Sequence, residues 1–408
     1  MQQLPTSSGQ SRLGALDSLR GLAAFAVLLG HTLGTCEWRC DFVRLPLVYL
    51  LFDGVSAVTM FFVLSGFVLT FSHFNQPGKP FILVPFYVRR FTRIWLPWFA
   101  FFLFSLLAKK WLRTPWPEGH LREGPWLASM WQGETTLSDV LRQMVFQLHN
   151  APRMLLSQDW SLGVELRAAL LIPVFLLLAR WKWWALAAAG IGLAYYAHAS
   201  GYYYTPFAAG VLAAYWNSRT DHCRRGGILF AIGLVFYQAR WLYNVGSLFP
   251  SFVKERDIWV LSTVGCTLIL LGTLRCGMIR NFLEHRFFLF LGRVSYSLYL
   301  LQMIVLICLV PWIVAGLNRI GIQSIALNQF MMLIMVSSIC LLLADLGVRV
   351  IEVPSIQLGK VLTIWLARHA WLKKLSIYGR TTKHQSGSDI PTRASSSKDH
   401  HPAPTSFD

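Results

Sequence analysis

Charged residues are scarce in this 408-residue chain: they make up 14% of the sequence, whereas hydrophobic residues make up 55%. A soluble domain needs polar side chains over its surface, so this composition favours a protein embedded in a lipid bilayer. Acidic residues are the scarcer charged class, because 19 Asp and Glu accompany 37 Lys and Arg and leave a formal net charge of +18. The basic residues lie between apolar segments and in the tail, which is typical of cytoplasmic loops rather than of a nucleic-acid-binding surface. We therefore expect no nucleic-acid partner.

Patterns of cysteine and histidine that would bind a metal are also missing. The seven Cys lie mostly inside apolar segments, and no CxxC or Cys/His spacing is typical of zinc. We expect no metal and no permanently bound cofactor. Cys36 and Cys40 form one close pair, and the sequence leaves open whether they are two apolar side chains or a disulfide. No small-residue cleavage site follows the first apolar segment, so we expect a retained span there rather than a signal peptide.

Apolar segments recur along the chain and predict an all-α, polytopic transmembrane helical bundle. A spanning helix needs ~20 mostly apolar residues, and fewer where short helices are buried among others. The ten predicted spans are 18–36, 48–72, 94–110, 161–179, 183–199, 202–217, 227–243, 258–274, 290–314 and 326–350. The fifth, sixth and seventh are short. No internal repeat or separate soluble domain is visible.

The distribution of basic residues predicts that both termini face the cytoplasm, because Lys and Arg concentrate in cytoplasmic loops. Arg89, Arg90 and Arg93 follow the second span, whereas the later connection "HASGYYY" has no Lys or Arg. The predicted organisation is a cytoplasmic segment at 1–17, a membrane domain at 18–354 and a basic cytoplasmic tail at 355–408. The tail is expected to be disordered from about 376, and residues 111–160 are expected to form a longer outer loop.

Arg20 and His31 lie eleven residues apart in the first predicted span. An α-helix turns ~100° per residue, so the two side chains share one face and lie about 16 Å apart along the axis. A lone His in an apolar helix is often a packing residue, and an Arg near a helix end can simply anchor it at the interface. Their shared face favours a functional pair running from the cytosol into the membrane. Asp17 could orient the Arg20 guanidinium or cap the helix.

Two further segments place ionisable residues at or inside predicted spans. Arg90 and Arg93 stand among aromatic residues in "FYVRRFTRIWLPW". They could form a basic inner loop, or they could bind phosphate groups from one helical turn. Glu165 lies in "QDWSLGVELRAALLIP", where a carboxylate entering the membrane needs a partner. We expect that partner to be Arg20 or His31.

Ser65 and Gly66 lie inside the second span, in "FFVLSGF". Small residues allow close helix approach, which is the simpler interpretation of this pair. Ser161, at the start of "SLGVE", is a further polar candidate.

Together these segments resemble the integral-membrane acyltransferase family 3, which includes bacterial enzymes that O-acetylate cell-surface polysaccharides. The resemblance extends from about Leu16 to Pro354. Its marks, in order, are Arg20 with His31 after ten intervening residues, "FFVLSGF", the arginine run at 89–93, "WSLGVE", "LGRVSYSLYLLQ" and "VIEVP".

The resemblance implies an O-acyltransferase that uses cytosolic acyl-CoA, usually acetyl-CoA, as donor and a glycan hydroxyl as acceptor. It implies a multi-pass protein of the cell membrane, which is the inner membrane in a Gram-negative cell. It also implies that Arg20 and His31 are essential and that Arg90, Arg93 and Glu165 have roles.

We interpret this set of residues in terms of the acyl-transfer reaction. His31 is expected to act as general base or acyl carrier, with Glu165 orienting its imidazole. The expected donor-binding residues are Arg20, Arg90 and Arg93. The expected supporting residues are Asp17, Ser65 and Ser161.

The chain departs from the family pattern at two positions, and two other functions stay open. Gln302 stands where many members have His, and Leu166 follows the "WSLGVE" motif where many members have polar or aromatic residues. The first alternative is a non-enzymatic solute or proton transporter that uses the His, Arg and Glu set, although no inverted repeat supports it. The second is an acyltransferase with a lipid or other non-glycan acceptor.

Overall fold

The structure, a computed structural model, describes residues 8–37, 45–76, 78, 80–147, 153–196, 201–220, 225–244, 253–322 and 324–368. The helices of this part of the chain are α1 (Ser8–Leu33), α2 (Pro46–Tyr49), α3 (Gly54–Asn75), α4 (Leu83–Trp111), α5 (Pro125–Ala128), α6 (Leu137–Met144), α7 (Asp159–Trp181), α8 (Trp183–Tyr195), α9 (Thr205–Asn217), α10 (Gly226–Tyr237), α11 (Ala239–Asn244), α12 (Glu255–Arg275), α13 (Gly277–Leu283), α14 (Arg286–Ile320), α15 (Ile325–Gly347) and α16 (Val353–Arg368). A 3₁₀ turn at Gly201–Tyr204 precedes α9, and a π-helical turn at Val348–Glu352 joins α15 to α16. The predicted all-α class is confirmed.

In the described part of the chain, seven helices are long and apolar enough to cross a membrane, which confirms a multi-pass transmembrane protein. They are Gly14–Leu33, Gly54–Asn75, Leu83–Trp111, Asp159–Trp181, Glu255–Arg275, Arg286–Ile320 and Ile325–Leu366. Each of the ten predicted spans corresponds to a helix, but α8, α9 and α10 have only 13, 13 and 12 residues. The number of spans and the cytoplasmic position of both termini stay predictions.

Helix α4 begins eleven residues before the predicted span. Its first turn contains Pro85, which a helix tolerates there because no intrahelical donor is lost. Arg89, Arg90 and Arg93 therefore lie on the helix itself rather than in a loop, which corrects the boundary drawn at residue 94. Arg90 and Arg93 share a face three residues apart, while Arg89 is exposed on another.

The chain ends are also more helical than expected from the sequence. Helix α1 begins at Ser8, inside the predicted N-terminal segment. The first part of the predicted tail continues as α16, where Gly359 packs against Thr92 of α4. The rest of the tail, including the predicted disorder from about 376, lies outside the described residues, as does Cys40 of the Cys36 pair.

Helices α1 and α14 cross closely at a pair of glycines. A Cβ on Gly21 would lie 2.3 Å from the backbone nitrogen of Gly292, and a Cβ on Gly292 would lie 2.5 Å from the carbonyl oxygen of Asp17. Only residues without a side chain let the two backbones approach this closely. The crossing holds α1 at a fixed height against α14.

Helices α3 and α9 meet in the same way. A Cβ on Gly66 would lie 2.2 Å from the carbonyl oxygen of Phe207, and one on Gly210 would lie 2.1 Å from that of Val63. The packing interpretation of the small residues in "FFVLSGF" is thus confirmed for Gly66.

The predicted outer loop folds back over the end of α1. Backbone hydrogen bonds join Glu37 to Arg122 at 3.0 Å and Gly124 to Thr35 at 2.8 Å. Inside the loop, the buried Trp131 indole donates to the carbonyl oxygen of Leu155 at 2.9 Å. The loop is therefore a packed structure that covers the His31 end of α1.

Candidate functional site

One cavity inside the bundle, called here the inner cavity, is enclosed by α1, α3, α4, α7 and α14. Its polar lining comes from Arg20, Ser65, Arg90, Arg93, Ser161, Glu165, Tyr296 and Tyr299. Six of these eight residues are site residues predicted from the sequence. Tertiary packing thus gathers polar residues from five helices that lie apart in the chain around one space.

Glu165 pairs with Arg90 in the inner cavity. The Arg90 guanidinium donates from Nη2 to Glu165 Oε1 and to Ser65 Oγ, and the Ser65 hydroxyl lies 3.1 Å from the same carboxylate oxygen. Among the described residues, no hydrogen bond or ion pair joins Glu165 to Arg20 or His31. The direct partner of Glu165 is therefore Arg90 rather than the expected Arg20 or His31, although the Glu165 charge also acts on Arg20. The structure gives no contact through which Glu165 would orient the His31 imidazole among the described residues. The physical reason is that Glu165 faces α3 and α4 at the height of Ser65, whereas His31 lies at the far end of α1.

Arg20 forms an ion pair with Asp17, which lies on the exposed side of α1. Its Nη1 donates to Asp17 Oδ1 at 3.1 Å, and the Asp17 side chain is 57% exposed. Since α1 begins nine residues before Asp17, Asp17 does not cap it. The ion pair fits the orienting alternative, and Arg20 also lies within the electrostatic influence of Arg90 and Arg93.

Glu352 was missed as a candidate, although it lies in the quoted "VIEVP" segment. It is buried, ends the π-helical turn, and accepts a hydrogen bond from Ser297 Oγ at 3.2 Å. Its carboxylate faces the charges of Arg93 and Arg20. A π-helical turn shifts the register of the residues that follow and is frequent at functional sites. A glutamate in an apolar segment was the available signal.

Two tyrosines of α14 were also missed, although both lie in the quoted "LGRVSYSLYLLQ" segment. The hydroxyls of Tyr299 and Ser161 lie 2.7 Å apart, and the Tyr296 hydroxyl donates to the carbonyl oxygen of Ile94 at 2.6 Å. Ser161 is thereby tied to α14 rather than to the arginines.

A second cavity of about 450 Å³, called here the outer cavity, surrounds the other end of α1. Its polar and aromatic lining includes His31, Tyr49, Asp53, Trp126, Gln158, Trp160, Arg240 and Tyr299. His31 belongs to the last turn of α1, so it lies near the C-terminal end of this helix.

Three features define the surroundings of His31. Its ring stacks on Trp126 of the outer loop, with centroids 4.9 Å apart and planes 21° apart. Its side chain interacts with the fully buried Gln302, the position at which the chain departs from the family pattern. Nδ1 of His31 is buried and has no hydrogen-bond partner among the described residues. One ring nitrogen therefore has no structural hydrogen bond.

Asp53, which the sequence did not single out, also lines the outer cavity. It caps α3, because Oδ1 accepts the backbone N–H groups of Val55 and Ser56 at 3.1 Å each. Burial raises the pKa of the Asp53 carboxyl, while the hydrogen bonds from Ser56 and the charge of Arg240 act in the opposite direction.

The two cavities are neighbours inside the bundle, because Val58 and Tyr299 line both of them. Arg20 stands in the inner cavity and His31 in the outer one. Both belong to the continuous helix α1, so about 16 Å of helix axis separates them. Within the described residues, no three His, Cys, Asp or Glu side chains converge as metal ligands.

Comparison with known proteins identifies the family. A family model described as an acyltransferase domain matches residues 13–346, which is far more than half of the chain. Searches of curated proteins and of solved structures each found no significant match. The matched region contains both cavities and every site residue predicted from the sequence. The chain therefore belongs to the integral-membrane acyltransferase family 3.

Proposed function

We propose that this membrane acyltransferase moves an acyl group, acetyl in the first instance, from cytosolic acyl-CoA to a hydroxyl of a cell-surface or exported glycan. The observation that carries the proposal is that two neighbouring cavities, one lined by three arginines and the other by His31, share Val58 and Tyr299 as lining residues. A donor and an acceptor that arrive from opposite sides of the membrane need sites that adjoin in this way.

The inner cavity suits the donor. CoA carries phosphates at one end and a thioester at the end of a flexible arm. Arg20, Arg90 and Arg93 offer planar guanidinium groups that bind phosphate oxygens in pairs. An arm that follows α1 from Arg20 has about 16 Å to cover before it reaches His31.

His31 suits the reacting end of the donor. Its unpartnered ring nitrogen can take the proton of the acceptor hydroxyl while the hydroxyl oxygen attacks the thioester carbonyl. The carbon–sulfur bond then breaks, and the CoA thiolate leaves and is protonated. In the covalent variant, the imidazole first accepts the acyl group and then passes it to the hydroxyl. The donor arm has to pass Tyr299 in both variants.

The setting that we propose is the cell membrane, the inner one in a cell with two membranes. Acyl-CoA, a glycan and the bilayer lipids are then the partners of the protein. The family membership favours an enzyme over a solute or proton transporter.

The test incubates the purified protein with acetyl-CoA and follows thiol release with and without candidate glycans. We expect release that rises with a glycan acceptor and a product that carries one acetyl ester. Acceptor-dependent release with lipids alone would replace the glycan with a lipid acceptor. Solute or proton uptake by proteoliposomes, with no thiol release for any acceptor, would instead establish the transporter.

A further inference from the structure

One carboxylate oxygen of Asp53 is buried without a partner at the wall of the outer cavity. Its Oδ1 is satisfied by the two backbone N–H groups at the start of α3. Its Oδ2 has no hydrogen-bond partner among the described residues, and the residue as a whole is 2% exposed. A buried carboxylate oxygen left unpaired is costly, so it points to a donor that arrives with a ligand.

The chain next to Asp53 packs against α1 next to His31. A Cβ on Gly30 would lie 2.6 Å from the carbonyl oxygen of Phe52, so the chain just before Asp53 presses against α1 at the residue before His31. Asp53 and His31 both line the outer cavity. A molecule whose hydroxyl reaches His31 therefore passes close to Asp53.

The other residues that line the outer cavity, together with its volume, indicate what kind of molecule it could bind. Trp126, whose ring also stacks on His31, and Trp160 line the same space as Asp53. Flat aromatic faces pack against the C–H face of a sugar ring, while carboxylates accept hydrogen bonds from its hydroxyls. The cavity volume of about 450 Å³ is within the usual range of ~300–1,000 Å³ for small-molecule sites.

We infer that the outer cavity binds the acceptor as a pyranose ring, and that Asp53 Oδ2 accepts a hydrogen bond from a hydroxyl adjacent to the one that reacts at His31. Asp53 then selects which hydroxyl is acylated. This inference rests on the proposed acyl transfer and adds the chemical class and the orientation of its acceptor.

The variant Asp53→Asn tests the inference because it keeps the helix cap. The Asn carbonyl replaces Oδ1 toward Val55 and Ser56, and the amide NH₂ replaces the free oxygen. The probes are acetyl-CoA with the methyl glycosides of glucose, galactose and mannose, and products are located by mass spectrometry and NMR. We expect kcat/KM for the best glycoside to fall about tenfold or more, with an unchanged KM for acetyl-CoA and a changed position of acetylation.

Two further variants separate binding from folding. Asp257→Asn alters a carboxylate that accepts from the Lys254 backbone at 2.8 Å and lines neither cavity, so it should leave every parameter unchanged. Asp53→Ser also caps a helix and should reproduce the loss with the glycoside. The melting temperature without sugar should stay close to that of the wild type in all three variants.

The outcomes that would overturn the inference differ from those that would overturn the proposed function. Unchanged glycoside kinetics and unchanged acetylation position in a folded Asp53→Asn protein would leave Asp53 as a helix cap only. Thiol release with a lipid acceptor but with none of the glycosides would also overturn the sugar site, while leaving acyl transfer intact. No thiol release with any acceptor would remove the proposed function itself.

Discussion

At the residue scale, the reaction that we propose assigns donor binding to three arginines and proton transfer to one histidine. Arg20, Arg90 and Arg93 line the inner cavity, and His31 lines the outer cavity with a ring nitrogen that has no hydrogen-bond partner in the described part of the chain. Glu165 neutralises Arg90 instead of orienting the histidine. Donor binding and proton transfer should therefore respond to different substitutions.

Replacing His31 with Ala should abolish transfer and preserve donor binding. Loss of general-base catalysis typically costs about 10²–10⁴-fold in rate. CoA affinity should stay near that of the wild type, because Arg20, Arg90 and Arg93 are untouched. Transfer rate and CoA affinity are measured on the same folded variant, with His120→Ala as a control histidine that lines neither cavity. Near-native transfer would make His31 a packing residue, and a loss of CoA binding would make it a donor contact.

Replacing Arg90 or Arg93 with Lys should weaken CoA binding about tenfold or more, since Lys keeps the charge but loses the planar pair of donors. Titration calorimetry with CoA measures the effect. Arg89→Lys is the matched control, because Arg89 lies on the same helix but does not line the inner cavity. If all three single variants and the Arg90/Arg93 double variant bind CoA as tightly as the wild type, the arginines do not bind the donor. They would then only orient the protein in the membrane.

At the element scale, the position of α1 governs both ends of the site. Arg20 and His31 belong to this one helix, and its height depends on the crossing of Gly21 with Gly292 of α14. The outer loop adds a second constraint at the His31 end, through Trp126. A substitution that displaces α1 should thus disturb the donor site even when every residue of the site is kept.

Gly292→Ala should destabilise the protein and weaken CoA binding. The new Cβ would clash with the carbonyl group of Asp17, which belongs to the backbone of α1 and cannot move without moving the helix. Such overpacking typically lowers the free energy of unfolding by about 1–3 kcal/mol. Gly316→Ala on the same helix is the control, because nothing lies within 4 Å of its Cβ position. The melting temperature in detergent and the CoA affinity measure the two effects. Equal behaviour of both variants would show that the crossing tolerates a methyl group.

At the scale of the whole molecule, the two cavities lie toward opposite ends of the helical bundle. Basic connections predict which side faces the cytosol, and the inner cavity lies toward the basic side of α1 and α4. The outer loop covers the opposite end. The two cavities adjoin at Val58 and Tyr299, and the acyl transfer that we propose runs from the inner cavity to the outer one.

Reporter fusions at Ser200 and Ser376 should report opposite sides of the membrane, with Ser200 outside. The physical reason is that the Lys-free connection at Ser200 is translocated more readily than the basic tail at Ser376. An alkaline phosphatase fusion and a fluorescent protein fusion at each position give complementary signals. A common side for both positions would mean that one of the short helices α8, α9 and α10 does not cross.

The sequence by itself determined the features that depend on local periodicity and composition. Apolar segments predicted a helix at each of ten places, and a turn of ~100° per residue put Arg20 and His31 on one face. The spacing of Arg90 and Arg93 likewise predicted a shared face. These predictions need only the geometry of a single helix, which neighbouring residues decide.

Only the tertiary structure decided which faces meet. Glu165 was expected beside Arg20 or His31 and pairs with Arg90, because the rotation and height of α7 are set by packing against distant helices. Trp126 reaches His31 from a loop that carries no periodic signal. The free oxygen of Asp53 becomes visible only when all its neighbours are in place. Such contacts join residues far apart in the chain, and their partners follow from the assembled packing rather than from local spacing.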